Sequence, residues 1–195
     1  MTFQNVVNLE KKIADFFGSN YAVATDCCTH AIELCLRHTN TKKAVSPFHT
    51  YISIPFTFKK LGIDWSFVDD KWKDYYWITE NIIDAAVHWS RGGYVKNTFM
   101  CLSFQYKKHF SLGRGGSILT DNYNDYVALK KMSYDGRLPN IPWTQQDIDC
   151  IGYHYYMTPE TAKIGLDKIQ DACSMPAKKW TYKDYPDLSK MAVFR

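Results

Sequence analysis

Short apolar runs of strand length alternate with segments of helical spacing along most of this chain, and that alternation restricts the fold more than any other feature. Residues 21–25 read as a buried strand, residues 31–37 as a helix, and residues 44–46 as a second strand leading into Pro47. Residues 65–68 and 81–84 read as further strands, the latter ending in the acid Asp84. Residues 99–102 and 116–120 are two more, while 123–132 and 159–172 have helical spacing. At the start, Leu9, Ile13, Phe16 and Phe17 share one helical face over residues 5–17, with Lys and Glu opposite, and Gly18 supplies the stop. Residues 69–80 are aromatic without a clear period. Strands interleaved with helices predict an α/β domain on a mostly parallel central sheet.

With 195 residues the chain is long enough for one domain with a real core. Residues 1–173 are expected to form that domain, and 174–195, with two prolines and several charges, a tail or interface arm. The 24 basic and 20 acidic residues are scattered, with no block of five like charges, which argues against a nucleic-acid-binding arm. No apolar run approaches membrane-spanning length, so no membrane partner is expected. The six cysteines fit no zinc spacing and include no CxxC; a reduced, cytoplasmic protein without a metal is the expectation.

Several residues carry candidate chemistry. Ser103, Lys108 and the turn from Gly113 to Gly116 fall within fourteen residues, just after an apolar run. A lysine able to form a Schiff base, a hydroxyl able to bind phosphate and glycines that permit close backbone approach are the groups a pyridoxal phosphate (PLP) site uses. Upstream, Thr25 to Leu36 reads as strand, small polar turn and helix, which presents free N–H groups at a helix start. Cys28 and Thr29 are the natural phosphate contacts there; the alternative is that Thr29 or Asp26 merely caps the helix. Asp84 at a strand end would pair with a ring nitrogen, or else cap a helix. Tyr51, after the Pro47 turn, would stack on a flat ring or else be a core tyrosine.

The order of these segments resembles one family. The run from Phe17 to Leu34 is similar to the N-terminal phosphate-cup segment of the DegT/DnrJ/EryC1/StrS sugar aminotransferases. Similar segments follow in family order: Pro47 to Tyr51, Asp84-Ala85-Ala86, Ser103 to Lys108, Gly113 to Thr120, and Gly152 to Pro159. The resemblance implies a fold-type I, aspartate-aminotransferase-like architecture, with the C-terminal small domain largely missing. It implies PLP as cofactor, with Lys108 as the catalytic lysine and proton shuttle. Lys107 is the rival by adjacency, and the family spacing selects Lys108. Asp84 would hold the ring nitrogen, Tyr51 the ring face, and Cys28, Thr29 and Ser103 the phosphate, with Gln105 nearby and His88 toward the ring hydroxyl. His109, His154 and Tyr156 would face the substrate.

The implied activity is amino transfer from an amino acid, glutamate, to a nucleotide-linked keto-sugar, in a homodimer with shared active sites. The chain departs from the family in length, in a compressed stretch between Val68 and Asp84, and in carrying His154 and Tyr156 where asparagine and arginine are usual. The tyrosine removes a bidentate carboxylate grip. The alternative is therefore a catalytically reduced PLP- or sugar-nucleotide-binding relative, or a partner subunit of a longer aminotransferase.

Overall fold

The computed structural model describes residues 2–195. Its core is a five-stranded sheet in the order β1 (Tyr21–Thr25), β7 (Gly116–Thr120), β6 (Phe99–Ser103), β5 (Ile82–Asp84) and β4 (Tyr76–Trp77). A parallel pair, β2 (Lys43–Pro47) with β3 (Asp64–Val68), lies beside it. One hydrogen bond, Val45 N–H to the Ile78 carbonyl (3.0 Å), joins β2 to the residue that follows β4.

Side chains alternate across the central strands, as a pleat requires. Ala22, Ala24, Ile83, Met100, Leu102 and Leu119 join one apolar cluster, which they share with α1 (Gln4–Phe17) and α5 (Pro159–Ser174). Val23, Ile82, Phe99, Cys101 and Ile118 join a second, shared with α2 (Cys28–His38), α3 (Ser53–Leu61) and α4 (Tyr123–Ser133). Strands covered on both faces lose the apolar/polar alternation of a half-exposed sheet, which is why they appear in the sequence as continuous apolar runs.

The sheet is mixed, which corrects the expectation of a mostly parallel one. Only β5 and β6 run parallel within it; β7 is antiparallel to both β1 and β6, and β4 to β5. A parallel neighbour needs a crossover element, whereas β6 and β7 are joined by a loop with no helix and β4 and β5 by a tight hairpin. Helix α3 carries a proline, Pro55, inside its span. Pro55 is its third residue, in the first turn, where no intrahelical N–H is needed.

Glu10 lies on the α1 face expected to meet solvent, yet it is buried. Its Oε1 accepts the Ala24 N–H and the Lys130 ammonium, both at 2.7 Å. An ionised pair survives there because each charge has the other as partner. Residues 175–195 fold back on the domain through three short 3-10 turns, Tyr182–Asp184, Leu188–Lys190 and Ala192–Phe194. Among the described residues no helix is long and apolar enough to cross a membrane.

Candidate functional site

A cleft of about 840 Å³ opens at the strand ends where Asp84 and Ser103 lie. Its floor comes from the C-terminal ends of the parallel strands β5 and β6, the place where α/β sheets gather ligands. It holds Cys28, Thr29, Tyr51, Asp84, Ser103, Gln105 and Lys108 together.

Asp84 is 4% exposed and forms a closed network. Its Oδ1 accepts the Ala86 N–H (2.9 Å), an Asx-type turn rather than a helix cap. Its Oδ2 accepts the Tyr76 hydroxyl, which is in turn bonded to the Thr50 hydroxyl. Burial pushes the Asp84 carboxyl above the usual aspartate range; the bonds from Tyr76 and the Ala86 N–H and the charge of Lys108 oppose that rise.

Lys108 is half-buried and reaches into the cleft, where its Nζ donates to the Tyr185 hydroxyl at 3.4 Å. Burial depresses its pKa below the ordinary lysine value, and Lys107 adds to the depression while Asp84 and Cys28 resist it. Lys107 is exposed and lies over the Tyr106 ring, so of the two adjacent lysines it is Lys108 that burial tunes.

Helix α2 begins at Cys28 with Cys27 as N-cap and no side-chain cap bond, so neither Asp26 nor Thr29 caps it. Its first-turn N–H groups open toward the cleft beside the Gly113–Gly116 turn. Gly116 is required there by proximity: a Cβ would stand 2.6 Å from the Cys27 carbonyl carbon and the Cys28 nitrogen. The Thr29 hydroxyl pairs with that of Ser53 (2.8 Å), and Ser103 Oγ accepts the Gln105 N–H (3.4 Å). Tyr51 is 62% exposed at the mouth, which excludes the core-tyrosine alternative.

At the rim, Asp26 Oδ1 meets His30 Nδ1 (2.6 Å) and Asp26 Oδ2 meets Arg114 (2.8 Å). Burial lowers the His30 pKa, but the Asp26 hydrogen bond and the nearby Cys27 and Asp26 outweigh it and carry the imidazole up to about 9. Asp26, Cys27 and His30 hold ligand-type atoms within 4.8 Å of one another, with both Asp26 oxygens already engaged.

The other predicted residues lie elsewhere. His88 and His109 line a small gap behind Lys108, not the main cleft. His88 packs against Tyr75 and Phe17, and burial lowers its pKa. His109 Nε2 donates to the Ala172 carbonyl (2.9 Å). His154 pairs with Asp135 (3.0 Å), and Tyr156 packs on Phe3 and Tyr134; neither lines the cleft of its own chain.

Sequence reasoning missed Thr50, Tyr76, Trp180 and Tyr185, all of which line the cleft. A signal for the last two existed: Trp180, Tyr182 and Tyr185 are dense for a free tail, because aromatic area of that kind is normally buried.

The fold matches solved structures. AtS13 from Actinomadura melliaura superimposes with a TM-score of 0.75 at 17% identity, covering 86% of this chain and 60% of its own. Spr1654 from Streptococcus pneumoniae, in its PLP form, gives 0.72 at 18%, covering 88% and 60%. DesI, solved in the presence of its TDP-sugar product, gives 0.69 at 17%, covering 87% and 53%. At such identities the likeness defines the class: a mixed α/β fold similar to that of the sugar aminotransferases. The profile of the DegT/DnrJ/EryC1/StrS aminotransferase family matches residues 1–96 and 90–185, and the chain belongs to that family. It spans about 53–60% of the length of these solved relatives. No curated protein matches it significantly in sequence.

Proposed function

We propose that this chain is a PLP-dependent aminotransferase that moves an amino group from glutamate to a nucleotide-linked keto-sugar. The observation that carries the reading is the pairing in one cleft of a buried carboxylate, Asp84, with a half-buried amine of depressed pKa, Lys108. The residues fit the cofactor. Asp84 is a buried carboxylate that desolvation makes costly, and a cationic ring nitrogen would relieve that cost. The first turn of α2, with Gly116 allowing the backbones to meet, fits a phosphate.

Bound PLP supplies an electron sink for the carbon that loses its proton. Asp84 would hold the proton on the ring nitrogen, with Tyr76 and Thr50 fixing its carboxylate in place. Lys108 Nζ would hold the cofactor and, once released, take a proton at the substrate carbon and return it at the cofactor; a depressed pKa keeps a larger neutral fraction for that task. Cys28, Thr29, Ser103 and Gln105 would surround the phosphate, and Tyr51 would cover the ring at the mouth.

A homodimer with shared sites is part of the reading. Exposed Ile141, Trp143, Ile148 and Ile151 in one loop support it, as does the fact that His154 and Tyr156 do not line their own cleft. The presence of His154 and Tyr156 where the family usually carries asparagine and arginine favours a second reading, a non-catalytic binding relative or partner subunit.

The test is the absorbance of the purified protein incubated with PLP, for wild type and Lys108→Ala. A visible band in wild type, absent in the variant and bleached by glutamate, is expected. A band that glutamate leaves unchanged keeps the cofactor and demands another donor or another reaction, and no band overturns the aminotransferase and leaves the second reading.

A further inference from the structure

Residues 175–195 do more than lie against the domain. The Trp180 carbonyl accepts the Asp74 N–H (2.9 Å), the Tyr182 N–H donates to the Trp72 carbonyl (3.1 Å), and the Leu188 N–H donates to the Phe48 carbonyl (2.8 Å). His49 Nδ1 donates to the Tyr185 carbonyl (2.9 Å), and Leu188 is 1% exposed. The segment is thereby stitched to residues 48–49, just before the cleft-lining Thr50, and to residues 72–74, and Trp180, Asp184 and Tyr185 become part of the cleft wall.

Two of those side chains address the candidate catalytic amine. Tyr185 OH accepts from Lys108 Nζ, and the Trp180 ring lies 5.4 Å from the same atom. Tyr185 is itself positioned by aromatic packing, on Trp72 at 5.6 Å and on Trp180 at 6.3 Å between ring centres. A phenol oxygen and an aromatic face both favour the ammonium form of a lysine.

We propose that Tyr185 is a positioning residue for Lys108, holding the amine toward the cleft and stabilising its charged form, from a wall that this chain supplies in cis. The inference rests on the proposed reading of Lys108 as the reactive lysine. The groups that face Lys108 from the surrounding elements are Asp84 from β5, Cys28 from α2, Lys107 beside it, and Tyr185 and Trp180 from the wall; His88 and His109 border the gap behind it. Tyr185 carries a phenol held well above its usual pKa, first by burial and then by Asp84 and Cys28, so it accepts from Lys108 as a neutral group across the working pH range.

The test reads the amine without the cofactor. The purified chain, stripped of bound aldehyde by hydroxylamine, is reductively methylated with formaldehyde and a borane at a series of pH values. Modification at Lys108 and Lys107 is then quantified by peptide mass spectrometry in wild type and Tyr185→Phe. The expected result is a Lys108 reactivity midpoint lowered by about half a pH unit in Tyr185→Phe, the Lys107 midpoint staying where it was. An unchanged Lys108 midpoint overturns the proposal, and so does an equal shift at both lysines, which would mean a general loosening. Formaldehyde carries neither ring nor phosphate, so a failure here is separate from a failure to bind PLP, which would instead overturn the functional reading.

Discussion

The two sides of the cleft are built differently. The floor hangs from β5, β6 and β7, strands whose residues are almost all buried between two apolar clusters. The covering wall, residues 175–195, has one deeply buried apolar anchor, Leu188, and is otherwise held by backbone bridges, by half-buried aromatics such as Trp180, Tyr185 and Phe194, and by exposed pairs such as Lys179–Asp74. Asp84 and Ser103, candidates for the chemistry, sit on the side held by the core. Groups that border the opening sit on the side that loosens at small cost.

The sharpest break in that comparison is on the floor itself. Lys108→Ala is expected to abolish the cofactor band and lower amino transfer by about a thousandfold or more, measured by absorbance and by steady-state turnover. Beneath the floor, Glu10→Ala strands the buried Lys130 charge and should cost about 3–5 kcal/mol in chemical denaturation. The double replacement of Glu10 and Lys130 by Met should recover the part of that loss due to the stranded charge, though not the part due to the Ala24 N–H losing its acceptor. Next comes Gly116→Ala, which drives a methyl into the Cys27–Cys28 backbone; a loss of about 1–3 kcal/mol and weaker PLP binding by fluorescence titration are expected.

On the wall, Leu188→Ala should raise amide exchange across residues 180–188 while leaving the melting temperature of the sheet nearly unchanged, because it unpins only the cover. A fall in global stability as large as that of Glu10→Ala would erase the distinction. At the rim, His30 carries a pKa raised to about 9. A folded value above the unfolded 6.5 means that its stabilisation is complete below about pH 6.5 and lost as pH rises through 9. Stability measured between those values should decline in wild type, and more shallowly in His30→Gln. The smallest effect belongs to Lys179→Ala, an exposed pair expected to change stability by less than about 0.5 kcal/mol.

The same contrast explains what could be read from the sequence. Runs such as Phe99-Met100-Cys101-Leu102 announce strands because burial on both faces demands continuous apolar residues. Asp84, Ser103 and Lys108 stand directly at or just past such strand ends, so their grouping followed from local order. Strand direction did not, since the β6–β7 connection has the length of a crossover without its helix. Tyr76 sits in a two-residue strand within an aperiodic stretch, and Tyr185 meets Lys108 across 77 residues of chain; neither contact leaves a periodic trace. Glu10 looked like a surface residue because its partner lies 120 positions away on α4.

The placement of β1 has a consequence for how the chain is born. This first strand is paired in the sheet with β7 alone, 95 positions further on from Tyr21 to Gly116. At ordinary translation speeds, on the order of ten seconds pass between the two leaving the ribosome. Through that interval the β1 edge lacks its β7 partner, an open strand edge of the kind that shielding by a chaperone protects.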